Sequence, residues 1–231
     1  MNIANPLTLG DLVLVPGHYP AKLLKALAVI ADRLHAEYAA EPWIVSPDKS
    51  KESCVLASLT VRDFLLGVGF KAEVRSVTVV MNAIDVAGQE LHSAGIGAPD
   101  RFFARRHVLD QPGRWNGHLV VTLPRERVLI DTTLFPIKER PAWADLLTGM
   151  MAVPLGPGGK IERLYGLPII TGCTVTEDTD GRQLTIAWLD RRNVSWRKGG
   201  DSKPDRRRRV VGTLIEKFGT WQDDSVTRLR A

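Results

Sequence analysis

The chain has 231 residues, 44% hydrophobic and 25% charged, a composition that excludes intrinsic disorder and allows a substantial core. A formal net charge of +5 and a pI near 9.4 favour acidic partners without marking a nucleic-acid binder. Two cysteines exclude a disulfide framework, and no run of about 18 apolar residues is available to span a membrane, so a protein of the reducing cytoplasm is expected. Residues 2–16 carry no basic n-region, and Asp11 interrupts the apolar run from Leu7 to Val15, which argues against a secretory signal.

In chain order, residues 1–19 read as extended or looped, with Pro6, Pro16 and Gly17 as breakers. Leu23, Leu27, Ile30 and Leu34 then recur at helical spacing and predict an amphipathic helix over 20–40. A polar loop follows to residue 53. A second helix is expected over 53–66, capped by Ser50 or Ser53 and stopped by Gly67 and Gly69. It is apolar around most of its circumference, as a central, buried helix is. Residues 70–81 alternate and are rich in valine, a strand signal. Residues 85–117 read mostly as one long loop, of the kind that is often functional, with Arg101, Arg105 and Arg106 flanking Phe102 and Phe103. Residues 118–123 and 128–133 look like two antiparallel strands joined at Pro124 to Arg127. Residues 136–168 look irregular, with a short helix around Trp143 to Leu147. A hairpin is expected over 170–177 and 182–190, and a C-terminal helix follows the basic run Arg206 to Arg209.

One set of residues carries chemistry. A thiol attacks as thiolate, and a helix start favours that anion because unpaired amides point at it. Cys54 opens the predicted central helix, whereas Cys173 lies inside a predicted strand. A lone cysteine in an apolar helix is most often core, and it becomes a nucleophile candidate only in the company of a base and an orienting group. His118 and Asp131 supply that company. Pairing Val121 with Val128 across the turn sets His118 opposite Asp131 on one face of the hairpin, where a carboxylate reaches an imidazole nitrogen. His18, His35, His92 and His107 show no ligand spacing and read as surface or loop residues, so no metal site and no cofactor are expected.

The pieces SCVLAS, GFKAEVRSV, NGHLVV and LIDTT, in this order, resemble the transglutaminase-like core, and ESCVLAS is similar to the Ser-Cys segment of papain-like peptidases. The resemblance covers about residues 50–134. It implies an α+β transglutaminase-like (papain-related) fold, with a central Cys-bearing helix packed on an antiparallel sheet. One domain is expected over 1–231, with its catalytic core at about 50–134 and a C-terminal hairpin and basic helix over 170–231. The implied activity is cysteine-dependent acyl transfer on a peptide, amide or ester, with Cys54 as nucleophile, His118 as base and Asp131 as orienting group.

No glutamine lies a few residues before Cys54, and Val55 stands where an aromatic residue often follows the cysteine. The backbone amide of Cys54 and the indoles of Trp43 and Trp115 are the candidate oxyanion donors, and Asn116 is a further substrate-binding candidate. Two other readings stand beside the enzyme. One is a catalytically inactive binding or structural protein of the same fold. The other is a nucleic-acid-associated protein, or one with another acidic partner, using Arg206, Arg207, Arg208 and Arg209.

Overall fold

A computed structural model describes residues 2–3, 7–97, 117–138, 149–156, 162–176, 181–191 and 194–221. It is an α+β fold built on a mixed, strongly curled half-barrel sheet. The strands are β1 (Asn2–Ile3), β2 (Leu7–Leu9), β3 (Leu12–Leu14), β4 (Glu73–Ile84), β5 (Glu90–Ile96), β6 (His118–Leu123), β7 (Val128–Asp131), β8 (Met150–Pro154), β9 (Arg163–Leu164), β10 (Leu167–Thr176) and β11 (Gln183–Asp190). Along the sheet they run β1-β10-β11-β4-β6-β7-β8-β3-β2, with β5 beside β4 and β9 beside β10. The pairs β1–β10 and β3–β8 are parallel, so the expectation of a purely antiparallel sheet is corrected. Antiparallel neighbours can be joined by short turns. Segments as far apart in the chain as β3 and β8 carry no such local constraint on direction.

β4 organises the site. One flank pairs with β11 from Val77 to Ile84. The other flank takes β6 along Glu73 to Val77 and β5 along Val79 to Ile84. β5 and β6 therefore lie end to end, meeting where Gly97 follows β5. Gly97 has φ +70°, and a Cβ there would stand 2.6 Å from the His118 amide nitrogen. Only glycine fits this junction without displacing the first residue of β6.

The described α-helices are α1 (Ala21–Ala39), α2 (Lys49–Glu52), α3 (Cys54–Gly67), α4 (Phe135–Lys138) and α5 (Arg208–Thr220), with 3-10 turns between Ser195 and Arg206. Leu23, Leu27, Ile30 and Leu34 of α1 are fully buried, as their spacing predicts. They share a core with Leu56, Val61 and Phe64 of α3, Val210 and Leu214 of α5, and Val121, Leu123, Val128 and Ile130 of the sheet. A second core on the opposite sheet face holds Val77, Val79, Val120, Leu129, Met151 and Trp188. The alternation of β6, β7 and β8 is thus between two apolar cores.

Residues 1–19, expected extended or looped, contain β1, β2 and β3, and the expectation of an irregular stretch over 136–168 is corrected by β8 and β9. The buried strands β3 and β8 are short apolar runs without polar alternation, which periodicity does not separate from irregular chain. The expected loop over 85–117 also contains β5, reached by a turn in which Asp85 Oδ1 accepts from the amides of Ala87 and Gln89 at 2.9 and 2.8 Å. The expected helix around Trp143 to Leu147 and the Arg101 to Arg106 cluster lie outside the described residues. Among the described residues no helix is long and apolar enough to cross a membrane.

Candidate active site

Cys54 is the first residue of α3. Ser53, its N-cap, accepts from the Leu56 amide at 3.3 Å. A first-turn amide has no intrahelical acceptor, so the amides of Cys54 and Val55 present their N–H groups at the helix start beside the sulfur. The Cys54 thiol is half-buried and donates to the Gly117 carbonyl at 3.8 Å.

The hairpin register differs from expectation. Val121 pairs with Ile130 and Leu123 with Val128, so the strands are displaced by two residues relative to the expected pairing. The turn spans four residues, with Arg127 at φ 57°. A slip of one residue would have sent every side chain to the other face, whereas a slip of two preserves the faces. His118 and Asp131 become diagonal neighbours, still within reach of long side chains. His118 Nε2 donates between the two Asp131 oxygens, at 2.9 and 2.8 Å.

Both groups are sealed from water, at 1% and 0% exposure. Asp131 also accepts from the Trp188 indole at 2.8 Å and from the Thr133 amide at 3.2 Å. With Nε2 committed to Asp131, Nδ1 is the ring nitrogen left on the side of Cys54, which lies close enough to act on the ring electrostatically. Burial alone would lower the imidazole pKa. The Asp131 charge and hydrogen bond, joined by the nearby Cys54, reverse that and hold it up at about 10. The charged form of the ring is therefore favoured.

Cys54 lies at the start of β6. β7 pairs with β6 only from Val121 onward, which leaves the preceding carbonyls of β6 unclaimed by that strand. Side chains of α3 take them: the Ser58 hydroxyl donates to Leu119 at 2.6 Å, and the Cys54 thiol to Gly117. These bonds dock the helix start against the first residue of β6.

A cleft of about 730 Å³ opens on Cys54. Lys49, Glu52, Val55 and Gly117 line one side, and a run of 3-10 turns from Ser195 to Asp201 lines the other. Asp201 holds these turns down. It accepts from the Ser53 hydroxyl at 2.6 Å and faces Lys49 at 3.4 Å and Arg206 at 3.3 Å. Trp196 packs with Leu59 and Leu119 and against Cys54 and Val55, forming the apolar part of the wall.

Cys54, His118 and Asp131 are thus brought together. Trp43 is not in this cleft: it packs against the helix-side core, edge-on to Tyr38, with the Arg206 guanidinium over its ring at 4.9 Å. Trp115 and Asn116 lie outside the described residues. Cys173 is in β10, and burial pushes its thiol up to about 12. The basic run pairs with the chain's own carboxylates: Arg206 with Asp201, Arg207 with Asp63, Arg208 with Asp205 and Arg209 with Glu41.

His35, expected on the surface, instead packs between α2 and the end of β7. The ring is bonded at 2.8 Å to Ser50 and at 3.1 Å to the Thr132 carbonyl. Trp188, Trp196 and Asp201 escaped the sequence reading because each comes from a segment distant in the chain. The one signal was that a tryptophan inside a strand needs a partner for its indole N–H. Comparison of the chain with protein families, with curated proteins and with solved structures yields no match.

Proposed function

We propose that this protein is a cysteine-dependent acyl-transfer enzyme with a transglutaminase-like arrangement of Cys54, His118 and Asp131. One observation carries the reading. A buried imidazole, held by Asp131 through Nε2, lies beside a cysteine at a helix start that opens on a cleft. An imidazole held toward its charged form by an aspartate beside a cysteine fits the need for a proton donor in acyl transfer.

In this mechanism the Cys54 thiolate attacks the carbonyl carbon of an amide or ester, and the carbonyl electron pair moves onto oxygen. The amide of Cys54 is placed at the helix start to donate to that oxyanion. His118 gives its Nδ1 proton to the departing nitrogen or oxygen as the carbon–heteroatom bond breaks, leaving a thioester and a neutral ring. Water or an amine then adds to the thioester while His118 takes a proton from it. Collapse restores the thiolate and the imidazolium. Asp131, bonded to Nε2 throughout, keeps Nδ1 facing sulfur.

The test is thiol reactivity. At pH 7, iodoacetamide should modify Cys54 at least about tenfold faster than Cys173, and His118→Ala should remove most of that advantage. Equal labelling of the two cysteines, or a Cys54 rate indifferent to His118, would sink the proposal.

A further inference from the structure

We propose that His35, on a helix that contributes no group to the cleft, is a positioning residue that fixes the segment delivering Cys54 against the segment delivering Asp131. This inference rests on the thiol reading of the site. The two segments are remote in sequence. Ser50 lies in α2, which runs through Ser53 directly into Cys54, and Thr132 follows Asp131. A single imidazole joins them, at 2.8 Å to Ser50 and 3.1 Å to Thr132.

The chemistry of the partners sets the tautomer. A carbonyl only accepts, so Nε2 carries the hydrogen, and Nδ1 accepts from the Ser50 hydroxyl. Ser50 is fully buried, so its hydroxyl has no water to turn to. The ring is held edge-on to Phe135 at 5.0 Å, and the Lys51 ammonium lies 5.2 Å from the centre of the Phe135 ring. Lys51, Asp11 and Asp48 are the charged groups that face the imidazole. Both tethered segments thus meet His35 through fixed hydrogen bonds, and each leads within a few residues to one end of the Cys54–His118–Asp131 chain. Near-attack geometry tolerates little looseness, so a tie of this kind affects reactivity as well as folding.

The experiment measures iodoacetamide modification of Cys54 against pH in the full chain, for wild type, His35→Leu, His35→Gln and His118→Ala. Leucine fills space without bonding. Glutamine offers a carbonyl to Ser50 and an amide to Thr132. The leucine variant should modify about tenfold more slowly at pH 7, with its pH profile displaced upward, while the glutamine variant returns to within about threefold of wild type. A folded leucine variant with the wild-type rate and profile overturns the inference, as does a glutamine variant as slow as the leucine one. Should the leucine variant not fold, Ser50→Ala decides: slower modification of Cys54 supports the role and an unchanged rate overturns it. If His118→Ala does not slow modification, the thiol reading fails and this inference with it. If His118→Ala slows it and His35→Leu does not, only the positioning role falls.

Discussion

His118 is bonded to Asp131 through Nε2 and His35 is bonded at both ring nitrogens, and removal from water pushes both toward the neutral form, yet their pKa values move in opposite directions. His118 faces Asp131 and is held up at about 10. His35 faces a hydroxyl and a carbonyl, and burial takes it down to about 4 despite the Thr132 bond. The partner decides the charge: an anion stabilises an imidazolium in a place where neutral acceptors do not. The shift at His118 favours the protonated ring, and the shift at His35 favours the neutral one.

Removing the anion breaks this contrast. In Asp131→Ala, His118 and the Trp188 indole are left buried without their acceptor, and a loss of about 3–5 kcal/mol in urea unfolding is expected. The His118 ring should then titrate below 6.5 by NMR, and a ring still charged at pH 8 would contradict the assignment of its charge to Asp131.

The two histidines also predict opposite limbs in stability against pH. For His118 the folded pKa lies above the unfolded value of about 6.5, so its contribution is complete below that pH and is lost as pH rises toward about 10. His35, with its folded pKa below the unfolded one, contributes fully above about 6.5, and that contribution falls away as pH drops toward about 4. Asp131→Asn should flatten the alkaline limb alone, and His35→Gln the acid limb alone, both read from denaturation midpoints across pH.

Smaller effects sharpen the picture. Trp188→Phe keeps most of the volume and removes one hydrogen bond to a carboxylate, for an expected loss of about 1.5–3 kcal/mol. It should also lower the His118 pKa less than Asp131→Asn does, because the charge stays. Ser53→Ala removes both the α3 cap and the bond to Asp201. A loss of about 1 kcal/mol from the cap is expected, together with faster proteolysis at the 195–201 turns. A variant whose turns stay as protected as wild type would show that Asp201 is held by Lys49 and Arg206 alone.

Much of this was legible in the chain. The spacing from Leu23 to Leu34 specified α1, the Ser53-Cys54 start and Gly67 end specified α3, and valine-rich alternation specified β4, because these signals are local. The hairpin carrying His118 and Asp131 was legible in existence and in face, though its pairing was displaced by two residues. Strand periodicity constrains parity, while the number of residues in the turn sets the register. Tertiary structure alone decided what surrounds that pair. Trp188, in a strand far along the chain, closes over Asp131, Asp201 anchors the cleft wall on Ser53, and His35 ties two segments that no local pattern connects. Propensity and periodicity report a residue's neighbours along the chain. The charge on His118 depends on neighbours across the sheet, which exist only once the half-barrel has closed around them.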